Sequence, residues 1–309
     1  MESQEIYNQV NRRYGSIAKS SSGHYEQTVA KAFGYTEQEL AGIPEGANLG
    51  LSCGNPTAIA RLREGETVID LGSGAGLDVF TAAKRVGLTG RAIGVDMNKS
   101  MIDKANANKS RVDVSNVEFI ESHITSTPAP DNTVDCIISN CVINLVPAED
   151  KQLAFNEMFR LLKPGGRVAI SDILARKELT DEMKKDMALY VGCISGASQV
   201  SEYDAFLRNA GFEDILIVDA NCDLNVYWSA ADGESPCCGA DASRGQDETP
   251  SCCSQEVKHD SYTEQEPCHQ NQTGSMADEA SRLANQLGIT DFNEWTGSFQ
   301  VYAVKPVTS

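Results

Sequence analysis

The run VIDLGSGAG at positions 68–76 constrains the fold most: an apolar segment leads into glycines at alternate positions. Gly72, Gly74 and Gly76 carry no Cβ, so the backbone there can turn tightly and approach a ligand closely. The pattern that follows predicts a helix over 77–86, whose first N–H groups have no partner within the helix. The run therefore predicts a strand, a ligand-binding loop and a helix, the unit that begins a parallel α/β sheet.

The spacing of the glycines distinguishes between classes of cofactor. A dinucleotide loop separates its second and third glycines by three positions to seat a pyrophosphate, whereas here they are two apart. Asp70 precedes the loop, where its charge would repel a diphosphate and attract a cation. Asp96 ends the next apolar run, about twenty residues beyond the loop, in the place of an acid that bonds ribose hydroxyls. The pattern favours S-adenosylmethionine, which carries an ammonium and a sulfonium, over a nicotinamide dinucleotide.

Apolar segments alternate with helical patterns from residue 67 to residue 171, which predicts a parallel sheet with helices on both faces. Ser201 and Asp204 resemble a capping box that opens a later helix. Further strands are predicted at 91–96, 117–121, 134–139, 167–171, 215–219 and 299–304, and further helices at 149–162 and 180–191.

Charge and composition exclude several function classes. Acidic residues outnumber basic ones by 44 to 26, and the net charge of −18 disfavours binding to nucleic acid and to anionic membranes. No signal-peptide or membrane-span pattern is evident, so we expect a cytoplasmic protein without a membrane partner. Ten cysteines in such a chain indicate reduced thiols available for ligation or redox chemistry.

Three cysteines lie in loops near the predicted ligand site. Cys141 occurs in SNCVINLVP, just after the fourth predicted strand, at the end of the sheet where ligands bind. Cys193 occurs in GCISGA, and Cys53 in LSCGNP, directly before a helix that Asn55 would cap and Pro56 would begin. The positive end of that helix would favour a thiolate at Cys53.

Thiols from three separate loops near one pocket favour a soft, thiophilic ion. Structural zinc sites typically show paired Cys-x-x-Cys spacings, whereas trivalent arsenic binds three thiolates and keeps a lone pair that can attack a methyl group. Packing is the alternative role, since cysteine is among the most buried residue types. The open alternatives are a small-molecule C- or O-methyltransferase with structural cysteines, and a metalloid-sequestering protein without turnover.

These motifs resemble the arsenite S-adenosylmethionine methyltransferase family over roughly residues 5–219 and in the final strand. The resemblance implies a class I methyltransferase (Rossmann-like) fold, a seven-stranded, mostly parallel sheet with helices on both faces and a small cap region. It also implies methylation of trivalent arsenic, supplied as arsenite or its thiol conjugates, in arsenic detoxification. Glutathione or thioredoxin would be the reductant.

The resemblance also assigns residues. Cys53, Cys141 and Cys193 match the three arsenic-binding positions and would act as both catalytic residues and substrate ligands. Many members carry a further cysteine upstream of this loop, whereas this chain has none before Cys53. The expected cofactor-binding residues are Tyr14, Asp70, Gly72, Ser73, Gly74, Gly76, Asp96, Met97, His123, Ile124 and Asn140.

The predicted organisation follows from these assignments. Residues 230–276 are rich in Gly, Ser, Asp, Glu and Gln, with few large apolar side chains, so we expect a disordered insertion. Its Cys237-Cys238 and Cys252-Cys253 doublets, like Cys222 before it, receive no role. The predicted segments are an N-terminal lid and arsenic-loop segment (1–66), the cofactor-binding core (67–171), a cap segment with the penultimate strand (172–228), a largely disordered insertion (229–296), and the final strand and tail (297–309).

Overall fold

The computed structural model describes residues 2–19, 24–185, 196–229 and 291–307. Seven strands form one sheet in the order β3-β2-β1-β4-β5-β7-β6. Strand β7 runs antiparallel to both of its neighbours, and the other described pairings are parallel. The strands are β1 (Thr67–Leu71), β2 (Arg91–Asp96), β3 (Val117–Glu121), β4 (Val134–Asn140), β5 (Leu162–Ala175), β6 (Glu213–Asp219) and β7 (Thr296–Val304). The predicted class I methyltransferase fold is confirmed.

Helices cover both faces of this sheet, and each face has its own apolar core. Val79, Phe80 and Val86 pack on one face, and Phe155 and Met158 pack on the other. The helices are α1 (Ser3–Ile17), α2 (His24–Ala32), α3 (Glu37–Ala41), α4 (Pro56–Ile59), α5 (Leu77–Val86), α6 (Lys99–Lys109), α7 (Lys151–Leu161), α8 (Asp181–Lys185), α9 (Val200–Ala210) and α10 (Val226–Ser229), with 3-10 turns at Ile143–Leu145 and Phe292–Glu294. Among the described residues, we find no helix whose length and apolar character would allow it to cross a bilayer.

Strand β5 is longer than the predicted 167–171. It continues to Ala175 because β7 pairs with it over its whole second half, from Arg167↔Val304 to Ala175↔Thr296. Strand β7 correspondingly begins at Thr296, ahead of the predicted residue 299, and Phe292 before it is buried. Interstrand pairing decides both boundaries, and the local sequence pattern does not reveal it.

The predicted capping box at Ser201 and Asp204 is wrong. Helix α9 begins at Val200, and the reciprocal bonds join Gln199 and Glu202. The backbone before the helix is held extended because Ala175 N donates to Ser198 O at 3.0 Å. The extended segment ends at Gln199, so the helix begins two residues earlier than the pattern predicted.

An apolar cluster lies above the carboxyl ends of the central strands. It combines Val10 of α1, Val29 and Phe33 of α2, and the side chains of Cys53 and Cys141. The N-terminal helices thus cover the sheet edge at which a ligand is expected to bind. Cys193, the end of the predicted helix over 180–191, and residues 230–290 with both cysteine doublets lie outside the described residues.

Candidate active site

A cavity lies between this sheet edge and α1. Every predicted cofactor-binding residue except Gly76 lines it. Cys141 also lines it, next to Asn140 at the end of β4. The cavity therefore reaches from the glycine loop to one of the predicted arsenic-binding cysteines.

The three glycines of the loop have different structural roles. A Cβ at Gly72 would overlap the side chain of Val142, and one at Gly76 would lie 2.8 Å from the rings of Phe80 and Phe119. Gly74 has a φ of 52° with open space where a Cβ would project. Packing within the protein thus requires glycine at two positions, while the third leaves room beside the cavity.

This difference predicts unequal effects of alanine substitutions on stability. Gly76→Ala is expected to lower the free energy of unfolding by roughly 3 kcal/mol, because it combines a left-handed φ of 100° with two ring contacts. Gly74→Ala is expected to cost only about 1 kcal/mol, for the left-handed backbone alone. Urea denaturation of both variants measures the difference, and equal losses would contradict the packing role of Gly76.

Three carboxyl groups face the cavity, those of the buried Asp70 and Asp78 and of the half-buried Asp96, and they give it a negative electrostatic character. Asp70 is the last residue but one of β1, Asp96 is the last residue of β2, and Asp78 lies in the first turn of α5. Burial raises the pKa of all three; the value for Asp78 is about 6, and the Asp78 and Asp96 charges raise the pKa of Asp70 further. A cation bound here would relieve this mutual repulsion.

Asp96 also orders the loop itself. Its Oδ2 accepts a hydrogen bond from Gly74 N at 2.9 Å, and its Oδ1 accepts one from Asn98 N at 2.8 Å. Both backbone bonds favour the ionised form, opposing the effect of burial on its pKa. A carboxylate at this position therefore holds the glycine loop in place and still borders the cavity.

Helix α1 closes the cavity from above. Asn98 donates to the backbone oxygen of Asn11 at 2.7 Å, which ties α1 to the start of α6. The Tyr7 ring contacts the His123 ring edge to face, with centroids 5.0 Å apart, and its hydroxyl donates to Asp150 at 3.1 Å. His123 therefore has an aromatic partner at the cavity wall.

Cys141 is held in an unusual backbone conformation beside Cys53. Its φ is 59°, a left-handed value that costs about 1–3 kcal/mol for a residue with a side chain. Its N–H donates to Ser171 O at 2.9 Å, and the Cys53 thiol approaches the same oxygen at 3.6 Å. Both cysteines thus contact the same backbone oxygen within β5, away from water: Cys53 is fully buried and Cys141 is 7% exposed.

Asn140 connects the cysteine pair to the cofactor end of the cavity. Its Oδ1 accepts hydrogen bonds from the backbone N–H of Cys53 at 3.2 Å and from the Cys53 thiol at 3.7 Å. Its Nδ2 lies 2.9 Å from the Tyr35 hydroxyl and 3.1 Å from Asp78. The side chain predicted to contact the cofactor is therefore engaged mainly with protein groups, and it positions Cys53.

A third donor completes the cluster. The sulfurs of Cys53 and Cys141 and a carboxylate oxygen of Asp172 all lie within 4.8 Å of one another, and all three residues are buried. Asp172 lies in β5 directly after Ser171, the residue that pairs with Asn140 of β4, and Cys141 directly follows Asn140.

Helix α4, which begins shortly after Cys53, has a single turn. Its dipole therefore stabilises a thiolate at Cys53 less than the dipole of a longer helix would.

Comparisons with known proteins place these features in a family. The family described as "Methyltransferase domain" matches residues 62–211. An arsenite methyltransferase of Halobacterium salinarum is 40% identical over 247 residues, covering 74% of this chain and 63% of that relative. The chain is similar to the arsenite S-adenosylmethionine methyltransferases over about three quarters of its length.

Two further relatives show how far the likeness extends. An arsenic (III) S-adenosylmethionine methyltransferase from Chlamydomonas reinhardtii shares the fold with a TM-score of 0.55 at 23% identity, covering 94% of this chain and 76% of that chain. A ubiquinone/menaquinone biosynthesis C-methyltransferase of an Enterobacter strain is 37% identical over 110 residues, which cover 35% of this chain and 43% of that relative. The chain spans just under two thirds of the length of its Halobacterium relative.

The sequence pattern missed three residues of the site. Asp78 lines the cavity, Asp172 lies beside the cysteines, and Tyr35 donates a hydrogen bond to Asp78 at 2.6 Å. A signal existed for two of them: Asp78 follows the glycine loop directly, and Asp172 is a polar residue at the end of a predicted strand. Cys136, within β4, is fully buried in the apolar core on one face of the sheet and therefore has a packing role.

Proposed function

We propose that this chain transfers the methyl group of S-adenosylmethionine to trivalent arsenic bound by cysteine thiolates. The observation that carries the proposal is the position of Cys141, which lies in the wall of the cofactor cavity and beside Cys53. Arsenic bound to these sulfurs borders the space that the glycine loop and the three carboxyl groups offer to a cationic cofactor. The fully buried Cys53 and the nearby apolar side chains of Leu145 and Ile173 exclude water from this region.

The residues of the cavity fit the cofactor. Asp70, Asp78 and Asp96 provide the negative field that an ammonium and a sulfonium require. When bound, S-adenosylmethionine supplies a methyl group on a positively charged sulfur, which is a good leaving group. The protein then needs no general base, because the arsenic lone pair is the nucleophile. Its task is to align the two reactants, and good alignment is worth up to roughly 7–11 kcal/mol of the barrier.

Electron balance requires a thiol reductant. The arsenic lone pair forms the As–C bond while the C–S bond breaks and its electrons leave with S-adenosylhomocysteine, so arsenic(III) becomes formally arsenic(V). Two thiols that join as a disulfide return two electrons and restore arsenic(III). We assign this role to glutathione or thioredoxin, with arsenite entering as the free acid or as a thiol conjugate. The compartment would be the cytoplasm, where these systems keep cysteines reduced.

Cys193 remains the proposed third thiolate. Its motif GCISGA matches the family position, and residues 196–198, which follow it, are anchored to the core through Lys151, whose ammonium donates to Ser198 Oγ at 2.8 Å. The proposal therefore rests on three cysteines, of which two have described positions.

The decisive experiment combines the protein with arsenite, S-adenosylmethionine and glutathione, and separates the arsenic species formed. Methylated arsenicals in proportion to S-adenosylhomocysteine are expected. Arsenite that binds without any methylated product would indicate a sequestering protein. Blocking of the thiols without loss of a methyltransferase activity toward an organic substrate would indicate a C- or O-methyltransferase.

The affinity for S-adenosylmethionine is expected to fall as the pH is lowered through about 6. The pKa of Asp78 is raised to about 6 by burial, while Tyr35, Asn140 and Arg85 oppose this and Glu39 adds to it. The cationic ligand favours the ionised carboxylates, so binding releases protons and the Kd rises with proton concentration. Calorimetry across this pH range, in buffers of different ionisation enthalpy, measures both effects. Adenosine, which carries no cation, should show a flatter profile; equally steep profiles would contradict the role of the carboxylates.

A further inference from the structure

Two hydroxyl groups from α10 and β7 hold the backbone of the loop that carries Cys53. The Tyr227 hydroxyl of α10 donates to the carbonyl oxygen of Ser52 at 2.8 Å, and Ser298 Oγ of β7 donates to the carbonyl oxygen of Cys53. Ser52 and Cys53 are 5% and 0% exposed, so a carbonyl oxygen that loses its partner here is poorly solvated, which is costly. The two bonds therefore contribute to the fixed position of Cys53.

Residues of β4 and β5 contact the same loop. Cys53 N donates to Asn140 Oδ1 at 3.2 Å, and Asn140 Nδ2 donates to the carbonyl oxygen of Gly54 at 2.9 Å. A Cβ at Gly54 would lie 2.6 Å from the Cβ of Ser171, so the loop lies directly against β5. The loop is thus held by four elements of the fold, through hydrogen bonds between residues 86 to 245 positions apart.

The number of thiolates that an arsenical can bind depends on its hydroxyl groups. Each thiol exchanges with one hydroxyl: the As–S bond forms, the As–O bond breaks, and the thiol proton leaves with the hydroxyl as water. Arsenite carries three hydroxyl groups and can bind Cys53, Cys141 and Cys193, as in the proposed function. Methylarsonous acid carries a methyl group and two hydroxyl groups, so it binds two thiolates at most. A loop that is already ordered loses little conformational freedom when its thiol reacts, which favours the third bond.

We propose that Tyr227 and Ser298 position Cys53 to bind arsenite, and that they thereby favour arsenite over methylarsonous acid, which Cys141 and Cys193 hold without Cys53. Both hydroxyls act through the backbone of the loop, so they are positioning residues. This inference rests on the proposed function, and it adds to it two residues that select the substrate of the first methylation round.

The test compares the Kd values of arsenite and of methylarsonous acid for the full chain and for Tyr227→Phe. Phenylalanine retains the ring, which packs against Phe33 with centroids 5.2 Å apart, and lacks the hydroxyl. Loss of one hydrogen bond that orders the loop is expected to raise the Kd for arsenite about three- to tenfold. The Kd for methylarsonous acid should not rise. Calorimetry measures both values.

Ser298→Ala tests the same role from a different element. It removes the hydroxyl that holds the carbonyl oxygen of Cys53, and the same selective loss of arsenite binding is expected. Tyr302→Phe is the matched control, because it removes a tyrosine hydroxyl from a half-buried position further along β7. The control should change neither Kd.

Binding, rather than turnover, keeps the possible failures apart. If Tyr227→Phe and Ser298→Ala weaken both arsenicals equally, or neither, the positioning role is refuted while the arsenic site stands. A selective loss of the same size in Tyr302→Phe would also refute it. If the wild-type protein binds neither arsenical, the proposed function fails and this inference fails with it.

A second measurement needs no variant. X-ray absorption at the arsenic edge should show three sulfur ligands when the wild-type protein binds arsenite, and two sulfurs and one carbon when it binds methylarsonous acid. Only two sulfurs with arsenite would overturn the inference, even if neither variant folded, because a third thiolate would then not contribute to the choice of substrate.

Discussion

Cys141→Ser is expected to lower the rate of arsenite methylation by at least about a hundredfold. Serine has nearly the same shape, but its hard oxygen is a poor ligand for a soft acceptor such as arsenic(III). The variant should bind S-adenosylmethionine within about twofold of the wild type, because Cys141 only borders the cofactor cavity. Single-turnover assays with arsenite and calorimetry with the cofactor separate the two steps.

Cys53→Ser provides an informative comparison. It should also lose activity with arsenite, yet keep part of its activity with methylarsonous acid, which needs only two thiolates. Cys222→Ser is the control, since this cysteine is half-buried at the edge of the same cluster and has no assigned role. Full arsenite turnover by Cys141→Ser, or a loss in Cys222→Ser as large as in Cys141→Ser, would contradict the assigned site.

Much of the cofactor-binding part of the site could be predicted from the sequence, because the residues that determine its strands, loop and helix are neighbours in the chain. The strands at 91–96 and 117–121 and the helix at 77–86 begin and end where predicted, since short apolar runs there are bounded by acids and glycines. Asn55 caps α4 and Pro56 begins it, as expected from two adjacent residues. Such boundaries depend on a few neighbouring side chains.

The substrate end could be predicted only in part, because it depends on strand order. Cys141 and Asp172 meet because β4 and β5 are neighbours with Asn140 opposite residue 171, and a sequence pattern shows neither the order nor the register. Cys53 reaches the same point from a loop that precedes the whole sheet. Its link to Asn140 is a contact between residues 87 positions apart, and no local pattern encodes it.

The largest effect on cofactor binding is expected from Asp70→Asn, which should raise the Kd for S-adenosylmethionine by at least about thirtyfold. The substitution preserves shape while removing a buried charge at the end of β1, and loss of one partner of a buried charge pair typically costs 2–5 kcal/mol or more. The free protein should instead become more stable at neutral pH, because the folded state raises the pKa of Asp70 and therefore disfavours its charge. Weaker binding with higher stability is a combination that general damage to the fold does not produce.

Calorimetry with S-adenosylmethionine and thermal unfolding of the free protein measure the two effects on the same sample. Asp103→Asn is the matched control, because it removes a carboxylate of the same type that is exposed on α6 and paired with Lys99. The charge of the whole protein changes equally in both variants, so long-range electrostatics alone would give equal losses of affinity. If Asp70→Asn binds S-adenosylmethionine as tightly as Asp103→Asn does, the cationic group of the cofactor does not bind beside β1. The proposed alignment of the methyl group toward Cys141 would then also be wrong.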